Sequence, residues 1–503
     1  PLIQKRFHQI ESFLNMLFAH AYTLAQVLYM VKLFCDNCLV APALLLSLLC
    51  MLLEGCATSL PNVPALTEAA GGAKPEIVGP EGKLSPRRAG TLLTREAEAA
   101  DAENLIKKTV ALMESLSGRP LTSGNKITLL VDGPATYEAM FKAIEAAKDH
   151  VNFETFTFSD DEVGRRFVDL LMRKQGEGVQ VNLMYDSVGS FGTPPDFFAR
   201  LRDAGINVLE FNPVNPLKVR KKLLTTQRDH RKVVVVDGRI GFTGGVNISD
   251  VYSGSPSGPS GSPFSSGGSA GTSKLGWRDT HVMMEGPVVA ELQRSFLKAW
   301  EYQKGPPLAA RDYFPHLDAR GKALAEVIVS YSGDTDRLTY VTYVAAIENA
   351  KYWIDLTTAY FVPDHQLIKA ITDAAKRGVE VRIVVPSASD STLALYAGRF
   401  HYGDLLESGV RVYERRTRMI HAKTVVIDGV WSTVGSTNMD LWSFLRNDEI
   451  NVVVIDTDFA NELEKLFGED LTRSNGITPE EWSKRPISSR LKEFFSVLLS
   501  HWL

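Results

Sequence analysis

Residues 138–158 and 342–361 read as two copies of one unit, because in each an amphipathic helix pattern runs into an apolar strand. The copies stay in step beyond that point. Gly178–Tyr185 (GVQVNLMY) matches Gly378–Val385 (GVEVRIVV), and Leu201–Leu209 (LRDAGINVL) matches Leu405–Tyr413 (LLESGVRVY). Helix and strand patterns alternate in both, which argues for an α/β layered unit present in duplicate. The 503 residues then divide into a first domain over 96–310 and a second over 311–503. Between 253 and 274 the first copy carries an insertion in which 18 of 22 residues are Ser, Gly or Pro. That composition has too little apolar surface to offset the entropy of ordering, so a surface loop is expected.

Each copy closes on the same constellation. In the first, His230, Lys232 and Asp237 form H-x-K-x4-D, and Gly244, Gly245 and Asn247 follow; in the second, His421, Lys423 and Asp428 precede Gly435, Ser436 and Asn438. Residues i and i+2 of an extended chain share a face, so each His projects with its Lys. The Val/Ile runs that follow bury the strand. Asp237-Gly238 and Asp428-Gly429 are hairpin signals that return the chain toward the Gly and Asn positions. Small residues beside a His and a Lys let a phosphate oxygen approach the backbone closely. Asn247 and Asn438 are candidate amide donors, and the lysines supply positive charge. The odd offset of seven from the His puts each Asp past the strand end, in a turn or orienting role. His150, His316, His365 and His401 lie in no repeated pattern and read as packing or surface residues, and His281 as packing beside the site.

The doubled H-x-K-x4-D with its distal G-[GS]-x-N resembles the phospholipase D superfamily. Trp277-Arg278-Asp279-Thr280-His281, Tyr360-Phe361-Val362-Pro363-Asp364, and Asn438 with Asp440, Ser443, Asn447 and Glu449 sharpen the likeness toward bacterial cardiolipin synthases. The resemblance spans about residues 95–503. It implies two halves related by a pseudo-twofold axis that build one active site between them. It also implies that one imidazole attacks a phosphodiester phosphorus to give a phosphohistidine while the other protonates the departing alcohol, with His230 as nucleophile and His421 as acid/base. Catalysis would rest on His230, Lys232, Asp237, His421, Lys423 and Asp428. Asn247, Asn438, Gly245 and Ser436 would support the phosphate, and Glu449 would orient the opposing His. No metal or other cofactor is called for. The expected substrate is a phospholipid, with phosphatidylglycerol the foremost; transfer to an alcohol and hydrolysis to phosphatidic acid both fit the residues.

The first 56 residues hold every cysteine: Cys35, Cys38, Cys50 and Cys56. A disulfide framework for the body is therefore excluded. Leu39–Leu53 is an uncharged run of 15 residues, short for a bilayer span and suited to a signal-peptide core. With Gly55-Cys56 after it, the segment resembles a bacterial lipoprotein signal, Cys56 being the point of lipidation. Residues 1–56 are thus read as a leader, 57–95 as a Pro/Gly/Ala-rich tether, and the protein as lipid-anchored in a bacterial envelope, facing the periplasm and the membrane surface. A net charge of -4 argues against a nucleic-acid partner and so against a nuclease of this type. A non-catalytic scaffold would be marked by loss of a motif His or Lys, and none is lost. No oligomer is required. The apolar segment Leu491–Leu503 is expected either to pack on the body or to lie on the bilayer.

Overall fold

The order of pairing between strands explains why the repeat matters. In the computed structural model, residues 60–70, 75–214, 227–254, 276–416 and 418–499 are described. Cys56 and the rest of the leader lie outside them, as do 255–274 of the insertion.

The first half contributes strands β1 (Leu121–Val131), β2 (His150–Thr155), β3 (Gln180–Asp186), β4 (Asn207–Phe211), β5 (Val233–Val236), β6 (Ile240–Gly244) and β7 (Thr280–Glu285). The second contributes β8 (Ala323–Ser330), β9 (Trp353–Thr357), β10 (Glu380–Pro386), β11 (Arg411–Arg415), β12 (Thr424–Ile427), β13 (Trp431–Gly435) and β14 (Asn447–Ile455). Hydrogen bonding links them in the order β4–β3–β2–β5–β6–β7–β1 and then β8–β14–β13–β12–β9–β10–β11. The second sequence of strands mirrors the first. β2, β3 and β4 are parallel, as are β9, β10 and β11, and the remaining pairs are antiparallel.

The halves meet along the antiparallel pair β1–β8, with Ala323 opposite Asn125. Residues 61–503 consequently form one compact unit, and the boundary expected at 310/311 separates repeats, not independently folded bodies. β5 shows how the layers are made. All four of its valines are buried; Val234 and Val236 pack under the helices of the first half, and Val233 and Val235 enter a core shared with Val327, Val426 and Val452 of the second. Burying each such side chain contributes on the order of 1.5–3 kcal/mol, so the period-2 alternation fastens β5 to both layers.

Two expectations are corrected. The segment read as a tether over 57–95 is folded in its described part. Helices Val63–Ala70 and Pro86–Ala100 flank strand Ile77–Gly79, which pairs with β1. Pro61 accepts a hydrogen bond from Gln366 at 2.9 Å. The helix Glu103–Ser117, assigned by sequence to the first domain, packs on Leu338–Glu348 of the second. Here Pro and Gly mark short turns between elements, and Val63, Ile77 and Ala89 supply buried anchors.

The carboxyl-terminal helix Ile487–Leu498 packs against Thr392–Phe400, with Arg485 and the buried Glu493 paired at 2.9 Å. Of the two placements expected for this end, its described residues take the packed one. Among the described residues no helix is long and apolar enough to cross a membrane.

Candidate active site

Both motifs are set by the same local rules. β5 and β12 begin one residue after Lys232 and Lys423, so the His-x-Lys stretches run into the ladder without belonging to it. Each stretch is moored to the opposite half. The His230 N–H donates to Asp448 C=O at 2.9 Å, and the His421 N–H donates to Arg278 C=O at 2.7 Å. Short parallel bridges flank these bonds, Asp229 with Asp448 and Arg278 with Ile420. The pseudo-twofold relation thus holds at the level of single peptide groups.

The side chains cross over as well. Nδ1 of His230 lies 3.0 and 3.1 Å from the two oxygens of Glu449, and Nδ1 of His421 lies 2.7 Å from Asp279 Oδ2. Each imidazole therefore belongs to one half and its carboxylate to the other. A carboxylate on Nδ1 fixes the tautomer with its proton there and turns Nε2 to the opposite side of the ring. Glu449 also accepts from Ser436 Oγ, and from Asn447 at 3.3 Å. Apart from the partly exposed Asn447, all these groups are buried.

Burial holds both imidazoles below their usual pKa, His421 at about 4, with the neighbouring lysines pushing the same way and the carboxylates opposing. Burial likewise lowers Lys232 to about 7 and Lys423 to about 8. Burial alone would raise Glu449 and Asp279, but their histidine partners and the lysines bring both below the ordinary carboxylate range. The lysines of both halves act on each imidazole, which marks a single electrostatic centre. Lys423 Nζ sits 3.0 Å from both ring nitrogens of His421, and Lys232 Nζ bonds to the His230 carbonyl at 2.5 Å. With Glu449 and Asp279 each committed to an imidazole, the two lysine ammonium groups are the cationic donors this centre offers to an anion. Phe156 packs edge-on to His230, and Trp277, Tyr252 and Tyr360 surround His421.

The structure departs from the sequence reading at several of the named residues. Asp237 and Asp428 are not brought to the centre. They stand at the far ends of β5 and β12, where each carboxylate accepts three backbone N–H bonds: Asp237 from Lys148, Asp149 and His150 at 2.8, 2.8 and 3.0 Å, Asp428 from Lys351, Tyr352 and Trp353 at 2.8, 2.7 and 3.0 Å. With φ of 50° and 52°, each followed by Gly at 64°, they form the left-handed turns expected for Asp-Gly.

The N–H groups of Gly245 and Ser436 are engaged by Thr280 and Ile450 carbonyls, so they are not phosphate donors. Gly245 serves instead to admit Asp279, since a Cβ there would stand 2.1 Å from its carboxylate oxygen. Asn247 donates to Tyr252 OH at 2.9 Å and accepts from Thr157 N–H at 3.2 Å, and Asn438 lies buried with an Oδ1 that has no partner. His281 is fully buried beside Gly244.

Asp279 is the residue the motif search missed. Glu449 follows Asn438 by eleven positions, whereas Asp279 follows Asn247 by 32. Excising the 22-residue insertion from 253 to 274 brings that spacing to 10, and this correspondence was the available signal.

Two halves interlocked around a histidine and a lysine from each define a phospholipase D-like protein. The family described as cardiolipin synthase, PLD-like domain, matches residues 140–252 and 343–471. The chain is 33% identical over 387 residues to cardiolipin synthase of Geobacillus kaustophilus (strain HTA426), covering 76% of this chain and 73% of that one. It is 35% identical over 392 residues to cardiolipin synthase A of Pseudomonas putida (strain GB-1), covering 78% and 76%. Among solved structures, phosphatidylserine synthase of Haemophilus influenzae Rd KW20 shares the fold, with a TM-score of 0.51 at 14% identity over 74% of this chain and 95% of that one. The chain belongs to the cardiolipin synthase family of phospholipase D-like enzymes.

Proposed function

We propose that this protein is a phosphatidyltransferase that joins two phosphatidylglycerols into cardiolipin and glycerol. The observation that carries the reading is the crossed pair His230–Glu449 and His421–Asp279, set among Lys232 and Lys423. His230 Nε2, left by the Glu449 contact on the far side of the ring, attacks the phosphorus. As the N–P bond forms, the bond to the glycerol headgroup breaks and His421 protonates the leaving oxygen. A second phosphatidylglycerol then offers a hydroxyl, whose proton passes to His421 as its oxygen replaces His230 on phosphorus. The lysines stabilise charge on the non-bridging oxygens, and a bound phosphate, adding to Asp279, favours the charged forms of both lysines and of His421, the imidazolium that donates from Nε2, against the burial that opposes them. The kinship with cardiolipin synthases supports the substrate class.

The membrane address rests on Leu39–Leu53 and Cys56, which favour a lipid-anchored protein on the periplasmic side of a bacterial envelope. Loss of radiolabelled palmitate incorporation in Cys56→Ser tests it.

The activity is tested by incubating purified protein with phosphatidylglycerol vesicles and analysing products by mass spectrometry. Cardiolipin and glycerol in equal amounts are expected, and an acid-sensitive phosphoryl adduct should map to the His230 peptide. Phosphatidic acid alone would establish hydrolysis instead, and absence of both products would refute the reading.

A further inference from the structure

The two halves agree closely around the site, so a position where they differ is informative. Thr155 and Thr358 are equivalent: each hydroxyl caps the carbonyl two residues on, that of Thr157 or of Tyr360. The Thr157 carbonyl accepts from Ile248 N–H and the Tyr360 carbonyl from Met439 N–H, which places Tyr360 opposite Thr157 under the pseudo-twofold relation. β3 and β10 are equivalent too, and counting four residues past their ends pairs Ser190 with Asp390. In the first half Ser190 is buried and consumed locally, accepting from Phe158 N–H at 3.0 Å and donating to Phe156 C=O at 3.2 Å. In the second half the same place holds an exposed carboxylate.

That carboxylate is held toward the site. Tyr360 OH donates to Asp390 Oδ1 at 2.7 Å, Ser391 N–H donates at 3.0 Å, and Ser389 Oγ at 3.2 Å. All three fall on Oδ1, which leaves Oδ2 to accept from a ligand. Tyr360 in turn stands edge-on to the His421 ring, 6.3 Å between centroids. Asp390 acts electrostatically on Lys423 and on Tyr252, so it faces the same centre. A carboxylate is the wrong group to receive a phosphate, because like charges repel. It is the right group to accept hydrogen bonds from a neutral polyol.

Resting on the transferase reading above, we infer that Asp390, positioned by Tyr360, recognises the acceptor. It would take the hydroxyl adjacent to the one that attacks, and so select a vicinal diol, the glycerol headgroup of phosphatidylglycerol, over water and over monohydric alcohols. The acceptor would lie on the His421 side, where its attacking oxygen forms the new P–O bond, the His230 N–P bond breaks, and the proton goes to His421. Water has no second hydroxyl tethered to the reacting one, so it gains nothing from Asp390.

The test is a partition ratio, which does not depend on how much enzyme is folded. Wild type, Asp390→Asn and Tyr360→Phe are given phosphatidylglycerol vesicles with propane-1,2-diol or propan-1-ol as added acceptor. Cardiolipin, phosphatidic acid and the two alcohol adducts are then counted by mass spectrometry. Loss of one charge-assisted hydrogen bond predicts that the cardiolipin to phosphatidic acid ratio falls by about tenfold or more in D390N, with the diol preference over propanol collapsing alongside. Y360F shifts both ratios in the same direction by a smaller factor. Ratios unchanged in both variants would overturn the inference. So would a selective loss of transfer to ethanolamine added in a parallel reaction, which would mean that the carboxylate reads a cation. If wild type itself makes no cardiolipin, the transferase reading fails first and this inference falls with it.

Discussion

Replacing Glu449 by Gln isolates the charge of one carboxylate at nearly constant volume. Glu449 is fully buried and holds His230 Nδ1 at 3.0 and 3.1 Å, with Ser436 and Asn447 satisfying its remaining capacity. A hydrogen bond to a charged group contributes about 1.5–3 kcal/mol. In the phosphohistidine the ring gains positive character, so this contribution is realised more fully there than in the resting enzyme. At about 1.4 kcal/mol per tenfold, E449Q should slow phosphoenzyme formation by about 10- to 150-fold. A second effect adds to the first. Ser436 fixes one oxygen position, so the carboxamide NH2 can face Nδ1 and drive the imidazole proton onto Nε2, the atom that must attack. A comparable carboxylate-to-amide change in the serine protease triad costs about 10⁴-fold through that wrong tautomer, which sets the upper bound. Rapid-quench measurement of the first glycerol released from phosphatidylglycerol in detergent micelles reads this step alone, with thermal unfolding run in parallel. A variant that melts near wild type and releases glycerol within about threefold of its rate would refute the crossed-pair argument.

The pH profile follows from the lysines. They must be charged to hold phosphate, and burial sets them at about 7 and about 8, so kcat/KM, which already declines with pH as free His421 loses the proton it must donate, should fall more steeply through that range. With substrate bound, phosphate raises both, and kcat should fall at higher pH than kcat/KM. On the acid side His230 must be neutral, and burial keeps its pKa below the usual value, so the acid limb should begin below about pH 6.5. Asp237→Ala and Asp428→Ala each leave three backbone N–H groups without their acceptor and place Ala at positive φ. Each should destabilise by about 2–4 kcal/mol in urea unfolding, while activity per folded molecule stays within about threefold; a larger loss of activity with unchanged stability would return them to the chemistry. Glu326, buried on β8 under Ser117, is raised to about 8 chiefly by burial. The folded chain then holds a proton that the unfolded chain sheds above about pH 4.5, so its contribution to stability is lost as pH rises toward 8. E326Q should therefore gain thermal stability over wild type increasingly from pH 5 to 8, and a constant difference would refute the assignment.

How far the sequence speaks depends on whether a residue's place is set locally. His230 with Lys232 and His421 with Lys423 were legible because a two-residue period and a hairpin turn fix them without reference to anything distant. Asp279 was not, since its partner lies across the fold and the 253–274 insertion hides the spacing that matches it to Glu449. Gly245 was seen and given the wrong neighbour: proximity to the His was readable, but whether the space held phosphate or the Asp279 carboxylate was a matter of tertiary packing. The segment over 57–95 looked like a tether because it is rich in Pro, Gly and Ala, and composition does not register that Ile77 and Val78 pair with β1. The duplication itself was legible as a repeat. It could not reveal β1–β8, the pair that makes the halves one sheet.

In a dimer of identical subunits, every side chain at the axis appears twice, and a group useful to one partner must be tolerated by its mirror image. Carrying both halves on one polypeptide lifts that requirement. One histidine can keep a glutamate and the other an aspartate, and a tyrosine and exposed acid can stand on one flank while threonine and a buried serine occupy the other. The tether also removes the concentration dependence that a two-chain site would carry. A reaction whose donor and acceptor steps make different demands on the same centre can thus assign each demand to its own side.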